Sequence, residues 1–275
     1  MRLGIFAKTF AGTDPMSVLS AAREAGFAGV QYNMACSGLD PMPDRIDPET
    51  ITALRQASAR TGMDIAAVSG TYNMIHPDPA VRTTGLRRLA LLIENAAALG
   101  TDLVTLCTGS RDPHDQWRHH PDNASPAAWA DLLAQMAQAA ALAEAYNIRL
   151  GIEPELANVV SDAGKARLLI DTLQSPALAV VLDPANLFER TTLAGQHRIF
   201  NQAVELLGDR IVMVHAKDRD HAGHFVAAGQ GVIDFPYFLS LLKDAGFQGD
   251  LVTHGLSAEA APGVARFLTR ALAPR

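Results

Sequence analysis

Four polar residues in the second half of the chain each close a short apolar run: Leu150-Gly151-Ile152-Glu153, Val181-Leu182-Asp183, Val212-Met213-Val214-His215 and Val252-Thr253-His254. Two carboxylates and two imidazoles at such ends form a donor set for a divalent cation. Mixed oxygen and nitrogen donors suit Mn²⁺, Co²⁺, Zn²⁺ or Fe²⁺ better than Ca²⁺, and Mg²⁺ also stays open. An ionised carboxylate at the mouth of an apolar element is costly unless something neutralises it, and a shared cation does so. The plainer alternative is that each polar residue caps its own strand and faces solvent. Four in succession weigh against it, because neighbouring strands lie about 4.8 Å apart and bring their ends within reach of one ion.

The elements that must position these residues follow from the apolar pattern. Eight short runs, Arg2–Ala7, Gly29–Asn33, Asp64–Ser69, Asp102–Cys107, Ile148–Glu153, Leu178–Asp183, Ile211–Ala216 and Asp250–His254, alternate with stretches of helical period. Their near-continuous apolar character is that of parallel strands covered on both faces. A capping residue followed by proline opens the helical stretches at Asp14-Pro15, Asp47-Pro48, Asp78-Pro79 and Ser125-Pro126, and later helices are predicted over Asp162–Leu173, Gln196–Leu207, Phe235–Ala245 and Ala258–Ala271. Glycine closes several, as in Leu99-Gly100-Thr101 and Ala245-Gly246-Phe247. Eight βα units with no linker between them predict an α/β fold, a single (β/α)₈ TIM barrel over residues 1–275. A doubly wound sheet is the rival. The turn after the first run, Ala7-Lys8-Thr9-Phe10-Ala11-Gly12, lacks the glycine fingerprint of a dinucleotide site.

Composition narrows the partners. The net charge of −6 disfavours nucleic acid, whose non-specific affinity comes from clustered Lys and Arg. No run approaches the length of a membrane span, and the chain reads directly into a strand, so no leader and no membrane association are expected. Two cysteines, Cys36 and Cys107, make no disulfide framework. A cytoplasmic enzyme is the expectation, with self-association left open.

Four stretches carry a family resemblance: Gly151-Ile152-Glu153-Pro154-Glu155, Leu182-Asp183-Pro184-Ala185-Asn186-Leu187, Val214-His215-Ala216-Lys217-Asp218 and Gly229-Gln230-Gly231-Val232-Ile233-Asp234-Phe235. With them the chain resembles the sugar isomerase and epimerase superfamily of xylose isomerase-like barrels, which includes inosose isomerases, ketose 3-epimerases and apurinic endonucleases. The resemblance implies that Glu153, Asp183 and His215 are metal ligands. In relatives the fourth ligand is a Glu at the end of strand eight, which is also one of two carboxylates that move protons. Here that position is His254. Imidazole can still coordinate a cation, but a metal-bound imidazole is a poorer base, so proton transfer departs from the family pattern.

Further residues fall where a substrate would lie. Asn73 and His76 follow strand three, with a turn-holding role the alternative for His76. The loop after strand four is long and rich in His, Arg and Trp. Trp117 can stack on a sugar face, while Arg111 or His120 bonds hydroxyls or an acidic group; a solvated loop is the alternative. Lys8 ends strand one, and Gln31 or Asn33, whichever faces inward, can bond substrate oxygens. By the resemblance, Arg219 contacts substrate and Asn186 stands where many relatives have a substrate-side His. Four successive charged residues, Lys217 to Asp220, otherwise read as a solvated loop.

The expected activity is that of a divalent-metal-dependent isomerase or epimerase on a sugar, keto-polyol or related carbohydrate. The metal would acidify the α proton and stabilise an enediolate, with Glu153 and His254 flanking the substrate as base and acid. A keto-sugar lyase or dehydratase shares that intermediate, and a degenerate barrel that only binds sugar is the non-enzymatic alternative. An apurinic endonuclease fits poorly with the charge and a single apparent metal cluster.

Overall fold

Proline at the first helical position starts the early helices, as the sequence predicts. In the computed structural model, which describes residues 1–273, α1 (Pro15–Glu24), α2 (Pro48–Thr61), α3 (Pro79–Leu99) and α4 (Pro126–Tyr146) each begin on one. The side chains of Asp14, Asp78 and Ser125 accept from the backbone N–H groups of Ser17, Ala80 and Ala128, donors that the helix itself leaves unpaired. Gly100 ends α3 at φ 104°, a left-handed conformation that a Cβ would strain. The remaining helices are α5 (Ala163–Leu173), α6 (Leu193–Leu207), α7 (Phe235–Asp244) and α8 (Ala261–Leu272).

Between them run β1 (Arg2–Phe6), β2 (Gly29–Tyr32), β3 (Asp64–Ser69), β4 (Leu103–Leu106), β5 (Arg149–Ile152), β6 (Leu178–Leu182), β7 (Ile211–Arg219) and β9 (Asp250–Thr253). They pair in the order β6-β5-β4-β3-β2-β1-β9-β7, and β6 also pairs with β7, which closes a barrel of eight parallel strands. The short β8 (Phe225–Ala227) is absent from the sequence reading. It pairs antiparallel with the end of β7, matching Lys217, Asp218 and Arg219 to Ala227, Val226 and Phe225. That pairing extends β7 three residues beyond the predicted end at Ala216, so Lys217, Asp218 and Arg219 of the charged run are strand and not solvated loop. Lys217, Asp218 and Arg219 are buried. Helix α6 also begins earlier than predicted, because Thr192 caps it by accepting from Gly195 N–H.

Strand periodicity of two decides what fills the barrel. At one level Ala67, Leu103, Val181, Met213 and Val252 form an apolar cluster of their own, separate from the main core between strands and helices. Gly151 completes this level, since a Cβ there would lie 2.8 Å from Val181 Cγ2 and 3.1 Å from Leu103 Cδ1. Gly151→Ala is expected to destabilise the protein by about 1–3 kcal/mol through overpacking. Urea unfolding checks this, and an unchanged midpoint would mean the barrel interior has room to spare.

Candidate active site

Two residues beyond that apolar plug, the same strands turn polar. Leu103 is followed at this spacing by Thr105 and Cys107, Gly151 by Glu153, Val181 by Asp183, Met213 by His215 and Lys217, and Val252 by His254. Ala67 is followed likewise by Ser69 and Thr71, and from the other strands come Phe6 and Lys8, and Gln31 and Asn33. Apart from Asp183 and Lys217, these polar-level residues line one cavity of about 340 Å³ at the C-terminal end of the strands, which Gln116, Trp117, Pro41 and Leu106 also border.

Glu153, Asp183, His215 and His254 each bring one donor atom into a group whose members lie within 4.8 Å of one another. Glu153, Asp183 and His215 are buried, and His254 is partly so. Gln31 orients the first imidazole. Its Nε2 donates to Thr105 Oγ1 at 2.9 Å, leaving Oε1 to accept from His215 Nε2–H at 2.7 Å. The His215 ring thus carries a proton on Nε2 and turns Nδ1 to the centre. Nδ1 lies 3.1 Å from Glu153 Oε1, a contact that calls for a proton or a cation between the two atoms. His254 Nε2 sits 3.6 Å from Asp183 Oδ2, with its ring edge-on to that of His215 at 4.4 Å between centroids.

Three of these buried atoms, Asp183 Oδ2, His215 Nδ1 and His254 Nε2, have no hydrogen-bond partner. Buried polar atoms are nearly always satisfied, and three orphans converging on one point fit a cation that binds all of them. The donor set therefore suits a divalent metal ion.

The rest of each carboxylate is held in place. Asp183 Oδ1 accepts from Ala185 N–H at 2.9 Å, and Glu153 Oε1 accepts from Asn186 Nδ2 at 2.7 Å. Lys217 Nζ donates to Asn186 Oδ1 at 2.9 Å and lies 3.2 Å from Asp183 Oδ2 and 3.9 Å from Glu153 Oε1. Burial works against charge on Glu153, but His215 and then Lys217 outweigh it and hold the carboxyl down at about 2. Asp183 is likewise held below its ordinary range: burial opposes this, and Lys217 and His254 overcome it. His254 is pushed down to about 4, first by burial and then by His215, against the pull of Asp183. At neutral pH the centre therefore presents ionised carboxylates and a neutral His254.

Glu155 behaves oppositely. Burial raises its carboxyl to about 7; Lys217 resists, while Glu153 and Asp183 add to the rise. The folded protein thus holds this proton more tightly than the unfolded chain. The stability it supplies is complete below pH about 4.5 and is lost as pH rises through about 7. In chelator-treated protein, Glu155→Gln should flatten the fall in unfolding free energy across that interval, by about 1–3 kcal/mol. Urea unfolding from pH 4 to pH 8 measures it, and parallel profiles for variant and wild type would contradict the assignment.

Other expected site residues are placed elsewhere. Asn73 exchanges hydrogen bonds with the Ser110 backbone, Nδ2 donating to the carbonyl at 2.7 Å and Oδ1 accepting from N–H at 3.1 Å. The His76 ring bridges the Pro113 carbonyl and the Asp78 N–H. Arg111 donates to the Ile75 carbonyl and pairs with Asp131 at 2.6 Å. These three brace the loops after β3 and β4, and none borders the cavity. His120 caps a 3₁₀ turn by accepting from Asp122 N–H. Arg219 donates to the carbonyls of Ala185 and Gly223 beneath the Phe225 ring. Asn186 stands behind Glu153 and not in the cavity wall. Of the predicted substrate contacts, Trp117 borders the cavity, half-exposed, and so do Gln31 and Asn33.

Lys217 is the residue that sequence reasoning missed. Its parity with Met213 and His215 was the available signal, obscured by the charged residues that follow. Asp218, beside it, accepts from the N–H groups of Gly229, Gly231 and Ile233 and fixes the Gly-Gln-Gly loop before α7.

The fold and this centre define a closed (β/α)₈ barrel with a polar pocket at the C-terminal end of its strands. A family model described as a xylose isomerase-like TIM barrel matches residues 19–267, and the chain belongs to that family. No curated protein sequence matches it. Among solved structures, the chain is similar to an L-ribulose 3-epimerase (19% identity, TM-score 0.78, 98% of this chain and 94% of that one). It is also similar to the 3-keto-D-glucoside 4-epimerase of E. coli (17%, 0.77, 98% and 99%). A third is the D-allulose 3-epimerase of Methylomonas sp. (18%, 0.74, 99% and 98%). At these identities the likeness establishes the fold. No helix among the described residues is long and apolar enough to cross a membrane.

Proposed function

We propose that the protein is a divalent-metal-dependent isomerase or epimerase of a small carbohydrate, with Glu153, Asp183, His215 and His254 as the metal ligands. The observation that carries this reading is the convergence of three buried atoms without a hydrogen-bond partner, on Asp183, His215 and His254, beside the Glu153 carboxylate. That the similar structures are those of epimerases agrees with it. A divalent ion bound there supplies Lewis acidity to a neighbouring carbonyl and hydroxyl.

The chain's own residues do the rest. Glu153 borders the cavity and is ionised, so it is the group able to take a proton α to a carbonyl. His254 also borders the cavity and is neutral at physiological pH; with Nε2 on the metal it is a poor base, and with Nε2 free it can accept a proton on the other flank. Asn186 and Lys217 hold Glu153 in one position, and Gln31 holds His215. Trp117 offers an apolar face at the mouth for a sugar ring, while Gln31, Asn33, Ser69, Thr71 and Thr105 offer polar groups for hydroxyls.

The reading is tested by incubating the protein with ketohexoses, keto-inositols and 3-keto-glycosides in D₂O with Mn²⁺, and following deuterium at the carbon α to the carbonyl. Incorporation that chelation stops and Mn²⁺ restores is expected. Full exchange after chelation, with metal analysis showing none bound, would exclude the mechanism.

A further inference from the structure

The centre contains a cation of its own. Lys217 Nζ is held by three oxygens: Asn186 Oδ1 at 2.9 Å, Asp183 Oδ2 at 3.2 Å and Glu153 Oε1 at 3.9 Å. Two of those oxygens belong to the carboxylates assigned above as metal ligands. The ammonium cannot swing away to solvent. The β7–β8 pairing fixes its backbone opposite Ala227, and the Phe225 ring covers Nζ at 4.4 Å from the ring centroid. The residue is 9% exposed.

We propose that Lys217 is a resident counter-charge that weakens divalent-cation binding at this centre and leaves the loaded centre net positive. This rests on the metal reading given above. A cation bonded to Asp183 Oδ2 at about 2.1 Å would lie within about 5 Å of Nζ, since that oxygen is 3.2 Å from Nζ. Two like charges at that separation repel substantially even at the effective dielectric of a protein interior. Charge balance points the same way. Two carboxylates, one ammonium and a divalent ion sum to one positive charge, because a neutral imidazole, His254, stands at the fourth position. A carboxylate in place of that imidazole would bring the sum to zero, and removing the ammonium as well would make it negative. The centre gives up cation affinity and gains a positive field where negative charge develops on a substrate oxygen.

Mn²⁺ titration by calorimetry or electron paramagnetic resonance tests this without any substrate. Lys217→Met should bind Mn²⁺ roughly tenfold to a hundredfold more tightly than wild type, and Lys217→Arg, which keeps the charge, should stay within about threefold. Lys217→Gln retains a polar group toward Asn186 and serves if the Met variant does not fold, as judged by circular dichroism. Binding by the wild type with no gain in either folded neutral variant overturns the proposal and leaves the metal reading standing. Tight binding by a neutral variant alone supports the proposal in its strongest form. No Mn²⁺ binding by any variant or by the wild type overturns both.

Discussion

Asp183→Asn should lower Mn²⁺ affinity by at least about a hundredfold, a loss larger than removal of an outer-shell partner usually causes. The side chain is fully buried, and its two oxygens have separate tasks. Oδ1 caps the turn after β6 by accepting from Ala185 N–H, while Oδ2 faces His254 and Lys217 with no hydrogen-bond partner. Asparagine keeps the shape and can keep the cap, but it removes the charge and sets an amide N–H₂ against the Lys217 ammonium. Breaking a buried charge pair from one side commonly costs about 3–5 kcal/mol, so a fall in stability should accompany the loss of metal. Calorimetric titration of the folded variant, with its unfolding midpoint measured alongside, separates the two effects. Wild-type Mn²⁺ affinity in folded Asp183→Asn would remove Asp183 from the ligand set.

Glu153→Gln should slow α-proton exchange by about 10²–10⁴-fold, the range associated with losing a positioned general base. Glutamine can still receive the Asn186 hydrogen bond through its amide oxygen, so the cavity wall should keep its shape. What disappears is the ionised carboxylate that His215 and Lys217 hold at about 2. A carboxylate with so low a pKa is a weak base in isolation. Its effectiveness depends on proximity and on acidification of the substrate proton by the metal. Deuterium incorporation into the most active keto-sugar of the D₂O panel, measured at saturating Mn²⁺, reads the loss. Exchange within threefold of wild type would assign the proton to another group, with His254 next in line.

The eight apolar runs set between helical stretches are local patterns that determined the barrel, and the alternation within each strand set the level at which the chemistry sits. An apolar residue followed two positions later by Glu, Asp or His recurs as Gly151/Glu153, Val181/Asp183, Met213/His215 and Val252/His254. Because a strand sends every second side chain to the same face, those pairs point into one barrel whatever the loops do. Proline and glycine at helix ends were equally local and placed the early helices.

What only the tertiary structure decided is which polar groups remain free at that rim. Asn73 and Ser110 are 37 residues apart, Lys217 and Asn186 are 31 apart, and His215 and Gln31 are 184 apart. No local pattern records that Asn73 is consumed by a neighbouring loop or that Gln31 fixes the imidazole of His215. Lys217 is the sharpest case. In sequence it opens a charged run with the look of a solvated loop, but antiparallel pairing with β8 turns that run into strand. Strand parity then directs the ammonium inward, where the Asn186 amide oxygen and two buried carboxylates brought from other strands make its burial tolerable.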